Sequence, residues 1–153
     1  MKRDTNIIPL SRDHHYGLLF CWKIRQGLSR DVNLERIRPY VHYFWQHNLE
    51  EHFSEEETLL YRDSPGPLCQ RAMVEHQSIR DLVWSIMGNG AWDRANYANL
   101  TDLIENHIRF EERQVFPYLE QKLTPEQLSR VGARLLQLHE QPADDLYEDA
   151  FWD

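Results

Sequence analysis

Apolar residues recur every three or four positions along most of this chain, a spacing that predicts amphipathic α-helices rather than strands. The pattern is interrupted by loop-forming stretches at 29–31, 62–67 and 88–90. Five helices are therefore predicted: from about Ser11 to Leu28, from Asn33 to Tyr61, from the break at 62–67 to Gly88, from Asp93 or Ala95 to Leu123, and from Thr124 to Glu140.

Capping residues and prolines set the expected ends of these helices. Residues 1–10 are expected to form an extended lead, with Ser11 as the N-cap of the first helix. Pro39 is expected to kink the start of the second helix or to separate a short helix from it, whereas Pro117 should bend the fourth helix without ending it. The segment 124–127 has a capping residue, a proline and a glutamine in the order typical of a helix N-terminus.

The lengths of these helices and of their links predict the fold class. Four long helices with short links favour an up-down-up-down bundle, because a short link returns the chain beside the helix that it has just left. We therefore expect an all-α fold: a four-helix bundle over about residues 11–121, followed by an extra C-terminal helix and tail over residues 124–153. The length suits a single domain that spans residues 1–153.

Composition and charge narrow the choice of partners and compartment. The 153 residues are 41% hydrophobic and carry a formal net charge of −8, which disfavours nucleic acid and anionic membranes as partners because both are negatively charged. No apolar run reaches the roughly 18 residues that a membrane span needs, and no apolar signal core follows the N-terminal residues. We expect a cytoplasmic protein with Cys21 and Cys69 as buried, reduced thiols.

Each of the four long helices carries one histidine on its apolar face. These histidines are His14, His52, His76 and His107. The second and the last are each followed four residues later by a glutamate, Glu56 and Glu111, which lies on the same face because residues i and i+4 stand one above the other on a helix. The spacing alone is weak support for a site, since His47 and Glu51 share it and face away from the apolar stripe.

Two carboxylates inside an apolar bundle need a counter-charge, because burying one without a partner costs several kcal/mol. Two divalent or trivalent metal ions, bridged by Glu56 and Glu111 and completed by the four imidazoles, would supply it. Mixed nitrogen and oxygen donors suit iron or manganese, and also zinc. On the first helix the apolar face favours His14 over His15, and the choice between them stays open. The sequence also leaves open which metal His14 and His107 would bind.

These motifs resemble those of the hemerythrin-like, or HHE cation-binding, domains over about residues 11–121. The resembling segments are Ser11-Arg12-Asp13-His14-His15, His52-Phe53-x-x-Glu56 with Leu59-Leu60-Tyr61, Glu75-His76, and His107-x-x-Phe110-Glu111-Glu112-x-x-Val115-Phe116-Pro117. The last of these is the most specific. The resemblance implies a four-helix bundle around a non-haem di-iron centre, in which two carboxylates and an oxo or hydroxo group bridge the ions.

Two departures from the oxygen-carrying hemerythrins change the expected function. Those proteins have a His-x-x-x-His pair on the third helix, whereas here the positions four residues before and after His76 are Ala72 and Arg80. Their last motif is His-x-x-x-x-Asp, whereas here Glu111 follows His107 by four residues. The resulting site is similar to that of hemerythrin-like domains linked to iron-centre repair and iron sensing. With fewer ligands, both metals would have open positions for oxygen, nitric oxide or peroxide.

We therefore expect a di-iron binding protein, with iron favoured over manganese and zinc, that senses or handles a small oxidant or gas or serves iron homeostasis or iron-centre repair. One alternative is a di-iron enzyme with peroxidase- or oxidase-like activity, although the sequence marks no dedicated substrate pocket. Another is a metal-free interaction module. The acidic, aromatic tail at 144–153 offers a surface for a protein partner, but Phe151 and Trp152 are expected to pack back on the bundle.

Residues close to the candidate ligands are interpreted as structural. Trp45 and Tyr118 lie on the same stripe one to three turns away and are expected to be core. Glu55, Glu57 and Glu112 adjoin the ligands but are expected to form solvated surface.

Overall fold

The computed structural model describes residues 2–64, 66–139 and 145–153. Its α-helices are α1 (Ile8–Ser29), α2 (Leu34–Phe44), α3 (Glu50–Glu56), α4 (Pro67–Met87), α5 (Arg94–Phe110), α6 (Phe116–Lys122) and α7 (Pro125–Leu138). A 3-10 turn, Thr5–Ile7, precedes α1. Three π-helical segments join or extend these helices: Trp45–Leu49 between α2 and α3, Glu57–Tyr61 after α3, and Glu111–Val115 between α5 and α6.

These elements form four long helices: α1, α2 with α3, α4, and α5 with α6. The first long helix packs against the second and the fourth, and the third also packs against the second and the fourth. Helices that follow one another in the chain are therefore neighbours, and the fourth closes the ring against the first. The predicted all-α bundle with an extra C-terminal helix is confirmed.

The first helix begins earlier than the sequence predicts. Residues 5–10 are helical rather than extended, so α1 starts at Ile8 and Ser11 lies within its first turn instead of capping it. Pro9 suits that first turn, because the N–H that proline lacks would have no intrahelical partner there. The side chain of Asp4 caps the preceding 3-10 turn.

The other predicted helix ends agree with the structure to within a few residues. Asn33 caps α2, and Thr124 and Gln127 form a reciprocal capping box at the start of α7. Pro39 lies inside α2, which continues through it to the first π-helical segment. The predicted end of the fifth helix, Glu140, lies outside the described residues.

One π-helical segment begins directly after Glu56, and another begins at Glu111. In a π-helical turn each N–H bonds to the carbonyl five residues back, so the turn holds one extra residue. Pro117 follows the second of these segments and, as predicted, does not end the fourth long helix, which continues to Lys122. Such wide turns occur frequently at functional sites, and both adjoin side chains that the sequence selects.

The apolar core consists of two clusters that lie towards opposite ends of the bundle. The first includes Phe20, Ile24, Val83, Ile104 and Phe151, and the second includes Leu10, Leu60, Cys69, Phe116 and Leu128. Helix α7 packs on the second cluster. Between the two clusters each long helix contributes polar side chains, so the bundle has a polar layer across its middle.

The C-terminal tail packs on the first cluster. Phe151 is buried against Gly27, where a Cβ atom would lie 2.8 Å from the Phe151 ring. Lys23 pairs with Asp145 at 2.7 Å and lies over the ring of Trp152. The expectation that the aromatic end of the tail packs back on the bundle is confirmed.

Two expectations about the environment of the chain can be compared with the structure. Cys21 and Cys69 are both buried and form no disulfide, as expected. Within the described residues, every helix is too short or too polar to cross a bilayer.

Replacing Phe151 by Ala should lower the free energy of unfolding by about 3–5 kcal/mol, because it removes a fully buried ring and leaves a cavity beside Gly27. Denaturant unfolding followed by circular dichroism measures this loss. Leu146→Ala, in the same tail but at a residue that is 76% exposed, is the matched control and should change the stability by no more than about 0.5 kcal/mol. Equal stabilities of the two variants would contradict the packing role of Phe151.

Candidate metal centre

Six side chains form the polar layer between the two apolar clusters. They are His14 on α1, His52 and Glu56 on α3, His76 on α4, His107 on α5, and Glu111 at the start of the π-helical segment that follows. All six are buried, with at most 4% of any residue exposed. The structure thus brings together every residue that the sequence selects as a candidate ligand. His15 and His47 are exposed, so the first long helix contributes His14.

The Nε2 atoms of the four imidazoles converge on the two carboxylates. The closest approaches are 2.9 Å from His14 to Glu111, 3.3 Å from His52 to Glu56, 3.1 Å from His76 to Glu56 and 3.0 Å from His107 to Glu111. Despite these short distances, Nε2 of three histidines and both oxygens of Glu56 make no hydrogen bond within the described chain, because their bond directions are unsuitable. The three are His52, His76 and His107.

Buried polar atoms are nearly always paired, so five unpaired atoms in one layer indicate a partner that the protein does not itself supply. Two sets of donor atoms, each lying within 4.8 Å of one another, surround the layer: His14, His52, Glu56 and Glu111, and Glu56, His76, His107 and Glu111. Both sets contain the two glutamates, so two cations would share them. Imidazole nitrogen with carboxylate oxygen fits iron, manganese or zinc. The structure also resolves a choice that the sequence leaves open, since it groups His14 with His52.

The other ring nitrogen of each histidine, Nδ1, faces a second carboxylate. The pairs are His14 with Glu112 at 2.8 Å, His52 with Asp13 at 3.1 Å, His76 with Glu57 at 2.7 Å and His107 with Glu75 at 2.8 Å. A charged carboxylate can only accept, so Nδ1 carries the proton and Nε2 of a neutral ring keeps its lone pair for a metal. Outer carboxylates of this kind are typical of metal-binding histidines.

These contacts show that one sequence prediction is wrong. Glu57 and Glu112 are not solvated surface but accept hydrogen bonds from candidate ligands, and Glu55 is buried. A residue next to an inward-facing one lies about 100° further round the helix, which in a bundle faces the neighbouring helix rather than water. Asp13 and Glu75 stand in the resembling segments, but the sequence analysis gives them no role at the site. Each directly precedes a candidate histidine, and that acid–histidine pair is the signal that could have identified them.

The hydrogen-bond pattern around the centre occurs twice. Acid–histidine pairs on the first and third long helices, Asp13-His14 and Glu75-His76, bind across to His-x-x-x-Glu-Glu segments at 52–57 and 107–112. In each case the histidine binds the outer glutamate of one segment and the acid binds the histidine of the other. The centre is therefore two-fold repetitive in its contacts, and the two donor sets are chemically alike.

One position breaks this repetition. Five residues after the shared glutamates stand Tyr61 and Phe116, which the wide π-helical turns bring to the layer. The hydroxyl of Tyr61 donates a hydrogen bond to Oε2 of Glu111, whereas Phe116 stacks on the ring of His14, with 5.3 Å between ring centroids. Sequence reasoning assigns no role to Tyr61, because an offset of five does not fit the 3.6-residue period from which inward faces are predicted.

The two aromatic residues that the sequence places on the site stripe are indeed packing residues. Trp45 lies edge-on to Phe53 at the border of the first cluster, and Tyr118 packs on the second cluster. Phe53 itself stacks on His76, with 3.9 Å between ring centroids. The rings of Phe53 and Phe116 thus cover one imidazole of each donor set.

Burial and neighbouring charges shift the pKa values of the side chains in this layer in opposite directions. Burial lowers the pKa of His52, but the charge of nearby Glu56 and the hydrogen bond to Asp13 outweigh it and raise the pKa to about 9. The same balance raises the pKa values of the other three imidazoles. Burial raises the pKa of Glu111, but the charge of His107 and the hydrogen bond with His14 hold it well below its usual range. Protons on the imidazoles therefore neutralise the carboxylates when no metal does.

Comparison with known proteins agrees with this geometry. A family model described as the hemerythrin HHE cation binding domain matches residues 8–119, which is nearly three quarters of the chain. No match was found among curated proteins or among solved structures.

For the metal-free protein, stability should fall as the pH rises from about 6.5 to about 9, the ordinary and folded-state pKa values of His52. A group whose pKa is higher in the folded state than in the unfolded state stabilises the fold fully at pH values below its unfolded-state pKa. That contribution is lost as the pH rises through the folded-state pKa. The lowered carboxyl pKa values act only below about 4.5, outside this window. Metal binding should instead tighten over the same range, because the metal displaces protons.

Thermal unfolding of chelator-treated protein across this pH window measures the first effect, and the midpoint should drop by several degrees. Metal competition with a chelator of known affinity measures the second. A midpoint that does not change with pH in the chelator-treated protein would contradict the assignment of protonated imidazoles.

Tyr61→Phe should weaken metal affinity by about 10–100-fold, the usual effect of removing an outer hydrogen-bonding partner of a ligand. The reason is that Glu111 loses the donor that orients it. Chelator competition measures the affinity. Tyr118→Phe is the matched control, because its hydroxyl lies beside Gly66 and outside the polar layer; the role of Tyr61 is refuted if both variants bind metal equally well.

Proposed function

The chain belongs to the hemerythrin HHE cation-binding family, and from that premise we propose that it binds two iron ions and uses them to sense or handle a small oxidant or gas. The observation that carries the proposal is the pair of donor sets that share Glu56 and Glu111. Oxygen, nitric oxide and peroxide are the candidate ligands. We also propose a link to iron homeostasis or iron-centre repair for the same site.

The donor count supports ligand binding rather than a closed structural metal site. Each ion would receive two imidazoles and a share of two carboxylates. Ala72, one turn before His76, is apolar, and Arg80, one turn after it, pairs with Glu57 at 3.1 Å instead of reaching the centre. The third long helix therefore adds a single ligand. Iron sites with few histidine and carboxylate ligands keep positions open for exogenous molecules.

Burial supports a small and uncharged ligand. Glu56, His76 and Glu111 are 0% exposed, and aromatic rings lie against the imidazoles of His14 and His76. Apolar walls disfavour charged molecules because they offer nothing to replace the lost hydration. A diatomic gas or peroxide meets this restriction, whereas a large metabolite does not.

The residues of the chain hold and insulate the ions. Iron supplies reversible ligand binding and one-electron exchange when it is bound. The four outer carboxylates orient the imidazoles through Nδ1, and Tyr61 orients Glu111. The two apolar clusters keep water out from both ends of the bundle.

Iron analysis and absorption spectroscopy test this function. Protein from iron-replete expression should contain two iron ions per chain, one for each donor set. Its spectrum should change with reductant and on addition of nitric oxide or peroxide. No more than trace iron, or a spectrum that responds to none of these additions, would overturn the proposal.

The double substitution His52→Ala with Glu56→Ala should abolish iron binding and lower stability, since a bound metal stabilises the folded state by mass action. The matched control is His47→Ala with Glu51→Ala, which removes the same residue types at the same spacing from the same long helix. Because His47 and Glu51 are exposed, the iron content of the control at equilibrium should equal that of the unsubstituted protein.

A further inference from the structure

The four outer carboxylates differ in what lies on their far side. Three of them are paired with an arginine: Glu57 with Arg80 at 3.1 Å, Glu75 with Arg71 at 2.9 Å and Glu112 with Arg3 at 3.3 Å. Within the described part of the chain, Asp13 is paired with neither arginine nor lysine. Three sides of the centre therefore present a guanidinium group to an approaching cation, and the side of Asp13 does not.

A surface pocket of about 60 Å³ opens on the side of Asp13. Among the described residues its lining includes the carboxylates of Asp13, Glu51 and Glu55 and the imidazoles of His47, His52 and His139, but neither lysine nor arginine. Since a water molecule takes up about 30 Å³ in the liquid, the pocket has room for a cation with a water ligand. Glu51 is exposed at its rim, whereas Glu55 is only 5% exposed.

The pocket holds a third set of donor atoms besides the two in the polar layer. His139, at the C-terminal end of α7, lies 2.8 Å from Oε2 of Glu55 and 3.8 Å from Oδ2 of Asp13 through its Nε2 atom. The three donor atoms of this set lie within 4.8 Å of one another. Glu55 is almost fully buried and makes its one hydrogen bond within the described chain through Oε2. One imidazole and two carboxylates are a donor set that divalent iron, manganese or zinc accepts.

The imidazole of His52 separates this pocket from the buried centre. Its Nδ1 atom bonds to Asp13, which lines the pocket, and its Nε2 atom lies 3.3 Å from Glu56. A cation held by Asp13, Glu55 and His139 is therefore one side chain away from the first donor set. A cleft lined by carboxylates also raises the local concentration of cations and the rate at which they arrive.

We propose that Asp13, Glu55 and His139 form a third, exchangeable site for a divalent cation, through which metal reaches the buried centre. The inference rests on the two-metal function proposed above for the route, but the site itself stands on its own donor atoms. It also gives α7 a role beyond covering the second apolar cluster, because His139 is the residue that caps its C-terminal end.

The site is tested with Mn²⁺ on protein whose buried positions are already filled and whose metal content after dialysis has been measured. Electron paramagnetic resonance measures the concentration of free Mn²⁺, which should fall by one equivalent of the protein. This additional Mn²⁺ should be bound weakly and removed by dialysis. Glu55→Gln with His139→Gln should lose this ion. His42→Gln with Glu50→Gln changes the same residue types at exposed positions outside the pocket, and this control should retain it.

The route is tested by the rate at which metal-free protein takes up Fe²⁺. In the Glu55→Gln, His139→Gln variant the rate should fall by about tenfold or more, while the final iron content and the circular dichroism spectrum stay those of the unsubstituted protein. Retention of the extra Mn²⁺ by this variant, or an unchanged uptake rate, overturns the proposal. If neither the unsubstituted protein nor the variants bind metal tightly, the proposed function is overturned instead. Loss of the weakly bound Mn²⁺ on substitution would still support the third site.

Discussion

Two carboxylates with no exposure to solvent, Glu56 and Glu111, are the constraint on which the rest of this structure depends. A charge taken out of water costs several kcal/mol unless it is paired and hydrogen-bonded. Here each carboxylate is surrounded by imidazoles, which neutralise it as protonated rings when no metal is bound and would act as fellow ligands when one is. The outer carboxylates on Nδ1 follow from the same constraint, because a buried imidazole also needs a partner for its second nitrogen.

The packing of the bundle keeps this polar layer in place. Apolar clusters on both sides fix the spacing and rotation of the four long helices, and Phe53 and Phe116 stack directly on ligand imidazoles. The tail and α7 pack on opposite clusters. Ligand groups whose positions are set by packing and by outer hydrogen bonds are preorganised, so binding a metal requires little rearrangement. Stability and binding are thereby coupled: whatever occupies the layer stabilises the fold.

The contacts of the centre are repeated twice, and the functional information lies where the repetition fails. Tyr61 stands where the other half has Phe116, so one shared glutamate is anchored by a hydroxyl and the other is not. Asp13 faces an acidic pocket, whereas its counterpart Glu75 is covered by Arg71. The first difference makes the two shared glutamates inequivalent, and the second leaves the side of Asp13 without a covering arginine.

The sequence by itself determined the helices, their inward faces and the six candidate ligands, because a 3.6-residue period and an offset of four residues are local properties of one helix. The capping box at Thr124 and the packing role of Trp45 were likewise predictable from the local sequence pattern. Only the tertiary structure decided that His14 joins His52, that Glu57 and Glu112 bind histidines, that a wide turn brings Tyr61 to Glu111, and that His139 lies beside Glu55. The physical reason is that these contacts cross between helices. They depend on how each helix is rotated against its neighbours and on backbone departures from α-helical geometry, neither of which the periodicity of a single segment contains.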